Sequence, residues 1–222
     1  MESATPHAAN TGLIDTVLVL ASNALSLWWV WRGEWTLSTL MVLFWAENLV
    51  VGLLYLARTL ALPGPPVLHG MKFVMVPFFC LHYGLFLGLH ALFVFGGVVP
   101  DGSAPTAAAG FWWALLAAAA SSAWQAWQAH RAYVAPTYDA EIIAASHKDA
   151  KVARVLVTPL MRLTAEPYLR VAILHVVLVI GAIGSLALGS PWFMLLLLVA
   201  LKTIYELAQA RGWIGRGLRH LT

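Results

Sequence analysis

Six ionisable side chains stand inside long apolar stretches of this chain: Glu47, His82, His90, His175, Lys202 and Glu206. Imidazole and carboxylate together suit Zn²⁺, Cu²⁺ or iron, and ligands drawn from several helices of a bundle are an established way to hold such an ion. Glu47, His82, His90, His175 and Glu206 are therefore the expected metal ligands. The set is specific in residue type and weak in spacing. No E-x-x-H or H-E-x-x-H relation joins any two of them, so a site has to be assembled across helices.

A second chemistry needs no metal. Glu47, His82, His175, Lys202 and Glu206 can serve as stepping stones for protons or line a polar path for a small solute. Lys202 favours this version, since a cation in the central layer repels a metal unless Glu47 pairs with it. A third reading is structural: Glu47 pairs with Lys202, the histidines stay neutral, and the cluster fixes helix register. Three histidines and two carboxylates in segments this apolar exceed what register requires, so metal binding is preferred. Water activation by a metal with an open position is conceivable chemistry. No G-x-S-x-G nucleophile motif is present, and the sequence does not decide whether the protein is an enzyme.

The elements that must carry these residues follow from composition. Of 222 residues, 61% are hydrophobic and only 10% charged, and the mean hydropathy is +0.79, which leaves a water-soluble fold short of polar surface. Six segments meet the roughly 20-residue requirement for crossing a bilayer: 13–31, 36–60, 71–98, 109–133, 169–188 and 191–210. The expected fold is all-α, a single bundle of about six transmembrane helices. Polar or Pro/Gly breaks separate the spans, such as Arg32-Gly33-Glu34, Pro63-Gly64-Pro65-Pro66 and Gly189-Ser190-Pro191.

Basic residues set the direction, because cytoplasmic loops carry the excess of Lys and Arg. With both termini inside, Arg58, Lys72, Arg131, Lys148, Lys151, Arg154, Arg162, Arg170, Arg211, Arg216 and Arg219 fall on the inner side and only Arg32 on the outer. The expected location is thus the inner (plasma) membrane. The net charge of +3 builds no continuous basic face, so nucleic acid is not an expected partner. Met1 to Thr11 holds no Lys or Arg, so a cleaved signal peptide is not expected. One cysteine, Cys80, excludes an intramolecular disulfide and a C-x-x-C site.

Counting about 1.5 Å of rise per residue from the inner ends puts His82 and Glu47 at roughly 16 and 20 Å, and Lys202, His175 and Glu206 at roughly 12, 9 and 6 Å. Glu47, His82 and Lys202 form the expected central layer, with His90 nearer the outer side. Gly84 and Gly88 between the two histidines make a small-xxx-small pattern that invites a neighbouring backbone, so the third helix is expected to be central. Asn48 reads as interhelical glue, and Gln125, Gln128 and His130 as reaching the interface.

Residues 134–168 form the one long hydrophilic connector. Val152, Val155, Leu156, Leu160 and Leu163 recur at helical spacing, with Lys148, Lys151, Arg154 and Arg162 mostly on another face. A helix lying on anionic lipid headgroups over 148–162 and a merely solvated linker account for this pattern equally well.

Trp45-Ala46-Glu47-Asn48 with Gly52, His82-Tyr83-Gly84 with His90, and Leu201-Lys202-Thr203 resemble the motifs of a family of small prokaryotic multi-pass membrane proteins known only as a domain of unknown function. The resemblance spans roughly 36–210. It implies a membrane fold centred on these polar positions and brings no activity with it. Glu206 stands where the resemblance leads one to expect Asp, which keeps a carboxylate and changes its reach.

Overall fold

Long apolar runs satisfy their own backbone hydrogen bonds most simply as helices, and each of the six expected segments overlaps a helix of the computed structural model. The structure describes residues 6–63, 66–98, 104–131, 140–146, 148, 157–190 and 192–210. Seven α-helices are found among them: α1 (Pro6–Trp31), α2 (Leu37–Ala61), α3 (Pro66–Phe93), α4 (Phe111–Ala129), α5 (Ala140–Ser146), α6 (Val157–Leu188) and α7 (Trp192–Ala210). A π-helical turn, Val94–Val98, continues α3, and a 3₁₀ turn, Pro105–Ala107, precedes α4. No strand occurs among the described residues, so the fold is all-α. Among the described residues, two helical stretches, Leu37–Ala61 and Leu68–Gly96, are long and apolar enough to cross a membrane.

Local chemistry sets the helix ends. Thr36 caps α2, its extended backbone letting Oγ1 accept from the Thr39 N–H at 3.3 Å. At the other end, the Lys72 ammonium donates to the Leu60 carbonyl at 3.3 Å and to the Leu62 carbonyl, covering carbonyls that α2 leaves without a partner. Lys72, expected on the inner side at the start of the third span, is buried there. Gly110 precedes α4 with φ +76°, and the Trp29 ring lies 3.4 Å from where a Cβ would sit. The Trp35 indole N–H donates to the Ala109 carbonyl at 2.7 Å, tying the α1–α2 turn to the start of α4.

The hub is α2, which packs against α3, α4 and α6, while α6 packs on α7 and α7 on α1. One core cluster gathers Met41, Phe44, Phe111, Val177 and Leu198, and a second gathers Tyr55, Phe79, Tyr83, Leu160 and Val171. The expectation of a central third helix is corrected here. Half of the apolar window of α2 is buried (50%) against 28% for that of α3. Gly84 and Gly88 are exposed, and a Cβ at either would meet nothing within 4 Å. Gly52 of α2 makes the close approach instead: a Cβ there would sit 2.6 Å from Tyr83 Cε1. The Tyr83 ring fills that slot and its hydroxyl donates to the Asn48 carbonyl at 2.7 Å.

A second difference concerns α6. Pro167 reads in sequence as standing near the end of the connector, yet α6 begins at Val157 and carries Pro167 inside it. Arg170 consequently stands well within a helix and is buried, not at an interface. Much of the expected surface helix, including Lys151 and Arg154, lies outside the described residues.

Candidate functional site

Near the middle of α2, Glu47 is only 4% exposed. Facing it from α7, the Lys202 ammonium donates to Glu47 Oε1 at 3.0 Å and stands 3.0 Å from Oε2. One helical turn further along α7, Glu206 Oε1 is 3.3 Å from the same ammonium. The other oxygen of Glu206 accepts from the Asn23 side-chain amide of α1 at 2.7 Å, and that amide also donates to the Val19 carbonyl at 2.9 Å. Glu47, Lys202, Glu206 and Asn23 thus form one unbroken run of ion pairs and hydrogen bonds supplied by three helices.

Arg170 of α6 completes the cluster. Its guanidinium hydrogen-bonds the Tyr205 side chain, lies 5.4 Å from that ring's centroid, and is within electrostatic range of both carboxylates. Two carboxylates face two cations, so the cluster is neutral as a whole, which is the condition for withdrawing charges from solvent. Beside it, α2, α4, α6 and α7 enclose a recess of about 40 Å³, lined among others by Tyr55, Arg58, Ser122, Gln125, Arg170 and Tyr205.

The histidines lie elsewhere. His82 is exposed, its Nδ1 3.1 Å from the Tyr168 hydroxyl and its ring stacked on Phe78 at 5.2 Å. His90 is buried with no hydrogen-bond partner at Nδ1, and its ring centroid is 5.6 Å from that of the exposed His175. The five expected metal ligands therefore fall into three places: Glu47 with Glu206, His90 with His175, and His82 against Tyr168. Among the described residues, no three His, Cys, Asp or Glu side chains gather closely enough to hold an ion. Between the two carboxylates, the position a metal would take is filled by the ammonium of Lys202. The expected central layer keeps Glu47 and Lys202 and loses His82.

Asn23, Tyr168, Arg170 and Tyr205 are absent from the residues picked out by type and spacing. Asn23 had a signal, as the one side-chain amide in the apolar stretch of α1 that follows Asp15. Arg170 had none, because a helix started at Leu169 leaves it at the interface. Asn48 also differs from expectation: its amide donates back to the Phe44 carbonyl of its own helix at 2.7 Å, and only its backbone carbonyl reaches across to α3. Gln125, expected at the interface, lines the recess.

The chain belongs to a family of unknown function (DUF6498), which matches residues 6–213. No curated protein and no solved structure matches it.

Proposed function

We propose that this chain is a multi-pass protein of the inner (plasma) membrane, with six crossing helices and cytoplasmic termini, whose interior charge cluster carries protons or a small polar solute. The membrane part draws on the outward face of α3, where Phe73, Val74, Phe78, Leu81, Leu85 and Leu92 are each more than half exposed. A contiguous apolar face of that kind belongs against lipid or a partner. The six long helices have 19 to 32 residues, hence lengths of about 28–48 Å, comparable to or greater than a hydrocarbon layer of about 30 Å. The split of basic residues favours the stated orientation.

The transport part is carried by one observation, the continuous run from Asn23 through Glu206 and Lys202 to Glu47. Ionisable groups this far from solvent mark proton or solute paths more often than mere packing, and the recess reaches Arg170 at the edge of the cluster. In liposomes holding a pH-sensitive dye, wild-type protein should dissipate an imposed pH gradient faster than protein-free vesicles. Glu47→Gln, which keeps the shape and removes the titrating group, should slow that flux by about tenfold or more. Equal rates for wild type and Glu47→Gln would overturn the reading.

Metal binding remains as a second reading, supported by His90, whose buried Nδ1 lacks a partner and whose ring adjoins His175. Zn, Cu or Fe suits imidazole ligands. Elemental analysis of protein purified without chelator should then find close to one equivalent of one of these metals, and His90→Leu should abolish it. A metal content near zero in the wild type would remove this reading.

A further inference from the structure

Two guanidinium groups and no carboxylate line the recess between α2, α4, α6 and α7. Arg58 comes from the last turn of α2 and Arg170 from α6. Tyr55, Tyr205 and Ser122 add hydroxyls, and Gln125 adds an amide. The Gln125 Nε2 donates to Ser121 at 3.2 Å, while its Oε1 is buried without a partner. The space amounts to about 40 Å³, and about 10–15 Å³ admits one water, so it holds about three waters or one tetrahedral oxyanion.

We infer that this recess is a binding site for a phosphate group that carries a free hydroxyl. Guanidinium offers several donors in a planar fork that matches phosphate oxygens. The Gln125 Oε1 requires the reverse, a donor, and a buried acceptor left unmatched costs about 1–3 kcal/mol. Chloride or a simple carboxylate answers the arginines and leaves Gln125 unsatisfied. A phosphate bearing an O–H, or a phosphodiester headgroup with a neighbouring alcohol, answers both. Arg58 lies in the basic, inward-facing end of α2, so the phosphate can come from the cytosol as inorganic phosphate or from the inner leaflet as an anionic lipid head. The site goes beyond the transport reading and stands whether or not protons move through the cluster.

The test uses the full chain purified in an uncharged detergent. Radiolabelled inorganic phosphate is titrated in one arm. In the other, native mass spectrometry follows retention of phosphatidylglycerol against phosphatidylcholine, both supplied in excess. Saturable phosphate binding, or selective retention of phosphatidylglycerol, is the expected result, and the arm that responds identifies the source. Arg58→Met should weaken that binding by about tenfold or more. Gln125→Leu, which loses the acceptor without touching the charge cluster, should weaken it less while leaving the melting temperature unchanged. Arg170→Gln is avoided because it unbalances Glu47 and Glu206. Absence of both phosphate binding and lipid selectivity in the wild type would overturn the assignment, as would binding unchanged by both Arg58→Met and Gln125→Leu.

Discussion

Where α2 faces α7, Glu47, Lys202 and Glu206 are drawn together and covered; on α3 and α6, His82 and His175 remain exposed. Both sets are polar residues in apolar helices, yet the fold handles them oppositely. The difference lies in the cost of each group. A charge withdrawn from water must meet its opposite, and so Glu47 and Lys202, 155 positions apart, are brought to 3.0 Å. An imidazole left at the surface carries no such demand, as at His82, whose ring meets the Tyr168 hydroxyl. The charge cluster therefore links α1, α2, α6 and α7, whereas His82 follows the rotation of α3.

The contrast yields stability predictions in order of size. Lys202→Met leaves two buried carboxylates facing each other and should cost about 3–5 kcal/mol in unfolding experiments in bicelles. A cost below about 1 kcal/mol would mean the cluster is no more demanding than surface charges. Gly52→Leu drives a side chain into the Tyr83 ring, whose Cε1 would be 2.6 Å from the new Cβ; a loss of about 1–3 kcal/mol is expected. Gly84→Leu, at a position with nothing within 4 Å, should by contrast change stability by less than about 0.5 kcal/mol. Similar losses at the two glycines would show that α3 is enclosed and that its exposed face has a partner. On the histidine side, His82→Phe removes one exposed hydrogen bond and should cost no more than about 1 kcal/mol. His90→Leu, which removes a partnerless buried nitrogen, should be neutral or slightly stabilising. A large loss at His90 would reveal a ligand on Nδ1.

Much of the architecture is legible in the sequence because it depends on local composition. Runs of apolar residues between Arg-Gly-Glu, Pro-Gly-Pro and Gly-Ser-Pro breaks place six helices whose bounds differ from expectation by a few residues, α1 and α6 excepted. The extension of α6 back to Val157 escapes a hydropathy reading, since Arg162, Glu166 and Pro167 interrupt the apolar run. Of the site, the pairing of Glu47 with Lys202 is readable as a charge requirement. Depth alone, however, cannot tell which way a side chain points around the helix. Residue counting puts His82 and Glu47 at similar heights, and only the rotation of α3, set by Tyr83 entering the Gly52 slot, turns His82 away from the cluster. Arg170 is found only once the helices are assembled, for its partners Tyr205, Glu206 and Glu47 lie more than 30 positions away along the chain.

The most direct test of the charge cluster is a double-mutant cycle between Glu47→Gln and Lys202→Met, with unfolding measured in lipid bicelles. If the two side chains neutralise each other in the bundle interior, the double variant should be less destabilised than either single variant, with a coupling of about 1.5 kcal/mol or more. Additive losses, with coupling within about 0.5 kcal/mol of zero, would contradict the pairing on which the proposed path depends.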